Sequence, residues 1–93
     1  MRYKLKFDEK ALREWNELDN AVRLQFKKKL QERLNEPVVE KDRLRGFTNV
    51  FKIKLKKWGY RLAYKINKDK SMTVLIVGKR EKSEVYKMLE KRI

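Results

Sequence analysis

Phe51-Lys52-Ile53-Lys54-Leu55-Lys56 alternates apolar and cationic residues over six positions. A period of two belongs to a half-buried strand, so it predicts Phe51, Ile53 and Leu55 on a core face and the lysines on the outer one. The next segment repeats the pattern. Tyr60, Leu62, Tyr64 and Ile66 fall on one face, Arg61 and Lys65 on the other, with Trp58-Gly59 as the turn of a hairpin. Keeping Leu55 and Tyr60 inside restricts the register to steps of two. One permitted pairing sets Lys54 opposite Arg61 and Lys52 opposite Ala63; another sets Lys56 opposite Arg61. In both, Lys52, Lys54 and Arg61 share the solvent face.

That face has no counter-charge of its own. Between Asp42 and Asp69 there is no acid and there are nine Lys or Arg. Ordinary surfaces mix both signs, and a face that shows water only positive charge repels itself. Over the whole chain the formal net charge is +14, which predicts affinity for polyanions. An extended one, RNA foremost, suits a sheet.

Working outward, Tyr3 to Phe7 alternates and reads as a first strand. Asp8 is placed to cap a helix through Leu18 whose apolar face holds Ala11, Leu12, Trp15 and Leu18. Asp19-Asn20 breaks it and can cap a second helix to about Asn35. There Val22, Phe26, Leu30 and Leu34 form one stripe, Arg23, Lys27, Lys28 and Arg33 occupy wetter sides, and Pro37 ends the run. The two read as an antiparallel helical hairpin. A connector with a turn at Gly46 leads to the β-hairpin. Met72 to Val77, apolar on both faces, reads as an inner strand. Glu81 to Ile93 carries Val85, Leu89 and Ile93 at helical spacing, a short terminal helix, loosely docked. The order β-α-α-β-β-β-α predicts one α+β domain over residues 1–93, an antiparallel sheet with the helical hairpin on one face.

Composition removes several chemistries. The chain has no Cys and no His. Disulfides, thiolate metal sites, Ser-His and Cys-His nucleophiles and the commonest general base are all excluded, and neither metal nor cofactor is expected. The longest apolar run is far short of a membrane span and the start lacks a signal-peptide core, so no membrane partner is expected and a cytoplasmic protein is.

The cationic face admits three readings: a solvated surplus of lysine, a passive polyanion-binding surface, or an RNase without histidine. Cleavage by a neighbouring 2′-OH needs that hydroxyl deprotonated, the phosphorane charge stabilised and the 5′-oxygen protonated. Clustered cations supply the second need. They also ease release of a lysine's proton, so Lys54 or Lys52 can serve as base. Arginine holds its proton at ordinary pH, its usual pKa exceeding about 12. Arg61 and Arg80, the latter ending the strand in Gly78-Lys79-Arg80, are therefore charge stabilisers. Trp15, Phe26, Tyr60 and Tyr64 read as core. Trp58 sits at the hairpin tip, either exposed or folded back on the sheet. Tyr86 faces away from the Val85–Leu89 stripe and is the best candidate to stack on a base.

Leu44-Arg45-Gly46, Phe51 to Leu55, Gly59-Tyr60-Arg61-Leu62-Ala63-Tyr64 and Val77-Gly78-Lys79-Arg80-Glu81-Lys82-Ser83-Glu84-Val85-Tyr86, in that order, resemble the RelE toxins of bacterial toxin–antitoxin pairs. The likeness covers nearly the whole chain; the loop Lys56-Lys57-Trp58 and the third strand of the meander depart from the RelE pattern. The resemblance implies cleavage of mRNA in the A site of the 70S ribosome, within the codon, leaving a 2′,3′-cyclic phosphate and a 5′-hydroxyl and stopping translation. It implies that Lys52 stabilises the transition state, Lys54 is the base, Arg61 contacts the scissile phosphate, Arg80 stabilises the leaving side and Tyr86 stacks on and orients the mRNA base. Arg45, Lys56, Lys57, Lys65, Lys79 and Lys82 are then the candidate flanking contacts to mRNA and rRNA. It further implies a RelB-like antitoxin, and contact with operator DNA only through the toxin–antitoxin complex. The alternatives are a ParE-like inhibitor of DNA gyrase and an RNA- or ribosome-binding module without chemistry.

Overall fold

Asp8 opens the first helix as its neighbours predict. Its carboxylate accepts the backbone N–H groups of Lys10 and Ala11, two donors that the first turn otherwise leaves bare. The computed structural model describes residues 2–79, 87 and 89–91. In chain order they form β1 (Lys4–Phe7), α1 (Glu9–Asn16), α2 (Asn20–Asn35), a 3₁₀ turn (Glu40–Asp42), β2 (Val50–Leu55), β3 (Tyr60–Ile66) and β4 (Ser71–Lys79). Residues 87 and 89–91 are helical.

The strands make one sheet in the order β1-β4-β3-β2. The hairpin and the β3–β4 pair are antiparallel. β1 departs from the antiparallel expectation and runs parallel to β4, with Leu5 beside Met72 and Phe7 beside Val74. The physical reason is the crossover: the chain leaves β1 through two helices before re-entering the sheet, and only a long connection brings a strand back parallel. This makes β4 central and apolar on both faces, as its sequence predicts.

The main core lies between the sheet and the helices. Val22, Phe26, Leu30 and Leu34 of α2 are buried against Phe51, Ile53 and Leu55 of β2, Leu62 and Tyr64 of β3, and Met72, Val74 and Val77 of β4. Full burial of each such side chain contributes roughly 1.5–3 kcal/mol. Trp15 bridges Phe7 and Phe26 through tilted ring contacts at 5.3 and 6.4 Å. Leu12, expected on the buried stripe, is 44% exposed. α1 ends at Asn16 and contributes only Ala11 as a buried residue, so its inward stripe is narrower than the sequence suggests.

A second, smaller core lies on the opposite face, which the strand of Met72 to Val77, apolar on both sides, supplies with part of its side chains. Val50, Ala63, Leu75 and Ile76 form it with Leu44 and Leu89, and Phe47 packs beside them. A bulge makes it possible. The β3–β4 register shifts between Ala63 and Tyr64, so both Leu75 and Ile76 turn to this face while Val74 and Val77 stay on the other. Leu89 is fully buried here; the rest of the expected terminal helix over Glu81 to Ile93, apart from residues 87, 90 and 91, lies outside the described residues.

The Asn67–Ser71 turn is tied down by Asp69. Its carboxylate accepts from the Ser71 hydroxyl and backbone N–H, and Lys6 on β1 approaches to 3.2 Å. The Ser71 hydroxyl first, and then Lys6, hold the Asp69 carboxyl below the usual aspartate range. A carboxyl whose folded pKa is depressed adds stability that is present above its unfolded value, about 3.9, and is lost as pH falls through the folded value. Asp69→Asn is therefore expected to lower stability at neutral pH, by a gap that closes as pH drops below about 4. Urea unfolding across pH 2–7 checks this; a gap that is constant with pH would contradict it.

Candidate functional site

The register resolves the alternatives left by the sequence. Lys54 lies opposite Arg61, Lys52 opposite Ala63 and Val50 opposite Lys65. Directly opposed residues of an antiparallel pair have Cβ atoms about 4.5–5.5 Å apart, and Lys52 is one two-residue step, roughly 7 Å, from Lys54. Three cations thus occupy one small quadrilateral. Ala63 fills its fourth corner with a methyl group that is buried in the second core, so the cationic cluster borders that core. On the far side of Arg61 lies Gly78, which adds no side chain there. All three cations are half-buried rather than fully wet, and the Nε of Arg61 is shut off from solvent. Charge held partly out of water acts at lower effective dielectric and interacts more strongly with a phosphate.

The remaining candidates divide. Lys65 sits on the same face, half-buried at its far end opposite Thr73. Lys56 and Lys57 are exposed in the hairpin turn, which closes with Gly59 at φ +70°. Arg45 is exposed beside Gly46 in the connector. Lys79 pairs with Tyr60, whose ring belongs to the helix-side core, so its register directs it away from Lys54 and Arg61. Arg80, Lys82 and Tyr86 lie outside the described residues. Among the described residues no helix is long and apolar enough to cross a membrane.

Arg33, assigned by its sequence position to a wet side of α2, is instead a hub under the site. Its guanidinium pairs with Asp42 at 2.6 Å, donates to the Tyr64 hydroxyl at 2.9 Å and reaches the carbonyl of Lys52 at 3.3 Å. The Tyr64 hydroxyl donates in turn to the carbonyl of Pro37 at 2.7 Å. Burial raises the Tyr64 phenol above its usual pKa, and the adjacent Arg33 opposes that rise. The edge strand β2 is thereby fastened at Lys52, and the backbone N–H of Leu44 occupies the Val50 carbonyl one step earlier. One sequence signal was available: Gln25, Lys29 and Arg33 recur every four residues beside the buried stripe, so they project from one side of α2.

Residues 5–84 match the family model for the ParE toxin of the type II toxin-antitoxin system parDE. The chain is 51% identical to the mRNA interferase toxin RelE of Escherichia coli K12, covering 100% of this chain and 99% of that one. The chain belongs to the RelE/ParE toxin family. A solved structure of a mutant E. coli RelE in the free state superposes with a TM-score of 0.91 at 50% identity, covering 100% of this chain and 99% of the other. RelE in the intact E. coli RelBE toxin-antitoxin complex matches with a TM-score of 0.82 at 48% identity over 86% of this chain and 99% of that one.

The Arg33 hub predicts a definite cost. Its ion pair is largely shielded, with side chains only 15% and 17% exposed. Arg33→Met leaves Asp42 with its charge and no guanidinium, which is expected to cost about 2–4 kcal/mol in denaturant unfolding. Arg33→Met/Asp42→Leu should recover part of that loss. A single-variant cost below about 0.5 kcal/mol, the scale of an exposed pair, would contradict the role given to it.

Proposed function

We propose that this chain is the toxin of a type II toxin–antitoxin pair and a ribosome-dependent mRNA endonuclease. The observation that carries the reading is the β2–β3 register, with Lys54 opposite Arg61 and Lys52 one step away on the same half-buried face. The 51% identity to a protein named mRNA interferase toxin RelE supports it.

In this reading Lys54 takes the proton of the 2′-OH within the codon. The 2′-oxygen attacks the adjacent phosphorus, the bond to the 5′-oxygen breaks, and a 2′,3′-cyclic phosphate and a 5′-hydroxyl result. Lys52 and Arg61 stabilise the added negative charge of the phosphorane, a task for which preorganised cations suffice. Arg80 stabilises the departing oxygen, which takes its proton from solvent, and Tyr86 stacks on the base. Those last two roles rest on the RelE likeness. Arg45, Lys56, Lys57, Lys65 and Lys82 supply contacts to mRNA and rRNA around the cut; Lys79, on the other face of the sheet, is not among them.

A site with no histidine is a weak acid–base catalyst. The ribosome supplies the missing part by holding the A-site codon in line for attack; positioning of this kind reaches about 7–11 kcal/mol in well-oriented reactions. No metal enters the scheme. A RelB-like antitoxin, of the kind that partners RelE in solved complexes, silences the toxin by wrapping it and blocking the site or displacing the terminal helix. An acidic segment that folds on binding suits such a surface. Operator DNA is reached only through that complex, and the site of action is the cytoplasm.

The test is substitution on both sides of the reaction. A 2′-deoxy nucleotide at the cut position should abolish cleavage of ribosome-bound mRNA. Arg61→Ala should slow it by on the order of 10²–10³ with the fold intact. EDTA, with ribosome integrity controlled, should leave it unchanged. Cleavage that survives both the deoxy substitution and the Arg61→Ala/Arg80→Ala double variant would overturn the reading.

A further inference from the structure

Behind the edge of β2, on the side of α2, runs a groove of about 600 Å³, in which the proposed function gives roles to Lys54, Lys56 and Lys57 and none to Lys29, Lys41 or Trp58. It is walled by Lys29 of α2, Lys41 of the 3₁₀ turn, Lys54, and the hairpin-tip residues Lys56, Lys57 and Trp58. Asp42 is the one carboxylate among its described lining residues, and Arg33 already pairs with it at 2.6 Å. The groove is therefore strongly positive. Trp58 is 40% exposed at its mouth, with the Lys57 ammonium 5.8 Å from the ring centre. An exposed indole among lysines costs solubility and adds nothing to the core. Lys54 belongs both to this groove and to the reactive face.

We infer that this groove binds the single-stranded mRNA segment that adjoins the cut codon, with Trp58 stacking on one of its bases and Lys29 and Lys41 contacting its phosphates. The inference rests on the nuclease reading for the identity of the strand. Three observations carry it. A groove lined by cations with an aromatic platform is how proteins hold single strands, whose bases have free π faces; bases within a duplex do not. The lysines come from three separate elements and converge, whereas scattered surface charge would not form a groove. The shared Lys54 makes the groove continuous with the site, so a strand that leaves the scissile phosphate over the β2 edge enters it directly.

The probe is a fluorescein-labelled RNA 12-mer with 2′-O-methyl groups, which cannot be cut, titrated by anisotropy between 50 and 200 mM KCl. Trp58→Ala is expected to weaken binding on the order of tenfold. Lys29→Gln/Lys41→Gln should lower the slope of log K against log salt by about 1.4, since each single-strand phosphate contact contributes about 0.7. These side chains are exposed, so thermal midpoints should not move, and they serve as the folding control. Unchanged affinity and slope in both variants would overturn the groove. Equal binding of poly-glutamate, indifferent to Trp58, would assign it to an acidic peptide instead and overturn the inference too. The occupant is identified by 4-thiouridine placed on either side of the A-site codon in 70S complexes. Cross-links from message to the 56–58 segment are expected; cross-links to rRNA alone would overturn it. Codon cleavage that persists with an inert groove would sink this inference and spare the nuclease. Trp58-dependent binding without cleavage would sink the nuclease and spare the groove.

Discussion

The cross-strand pair Phe51–Tyr64 holds the register on which everything else depends. The two residues oppose each other, their rings stack at 5.8 Å and 21°, and both are fully buried. A slip of one residue would turn every apolar side chain of β2 outward. A slip of two would keep the faces and separate the rings, forfeiting about 0.5–1.5 kcal/mol of aromatic contact beyond the area they bury. It would also bring Lys56, not Lys54, opposite Arg61. The Tyr64 hydroxyl extends the same constraint into the polar layer, between Arg33 and Pro37. One ring therefore ties the exit of α2, the edge strand and the cationic face to one geometry.

The face held in this way is unfavourable by itself. Like charges directly opposite each other on a sheet destabilise it, on a scale of roughly 0.2–1 kcal/mol per pair. Five residues of the hairpin buried on the other side, Phe51, Ile53, Leu55, Leu62 and Tyr64, contribute roughly 1.5–3 kcal/mol each. The core wins by a wide margin and can hold lysines and an arginine where an isolated strand pair would not. Bound polyanion relieves the repulsion, so the same charges that cost folding energy favour the complex.

Much of this was legible in the residues. Alternation marked the hairpin, Asp8 marked the start of α1, and the Val22–Phe26–Leu30–Leu34 stripe marked the buried side of α2. The shared face of Lys52, Lys54 and Arg61 followed from period two alone. What stayed hidden was long-range. The parallel placement of β1 depends on the path through both helices, which no local pattern encodes. The second core depends on a bulge that redirects Leu75 and Ile76, and Val74 to Val77 reads the same with or without it. Arg33 looked like a solvated helix arginine because its partners lie 9 to 31 residues away in the chain. Leu12 erred in the other direction: α1 is short and touches the sheet through too narrow a stripe to cover it.

The central claim is that this cationic face cuts message only where the ribosome presents it. Primer extension on a defined mRNA, programmed into purified 70S ribosomes with an empty A site, tests it most directly. The account predicts a sharp stop within the A-site codon when the protein is added, and none on the same RNA free in solution. No stop on either substrate would contradict it and turn attention to DNA gyrase, measured by supercoiling.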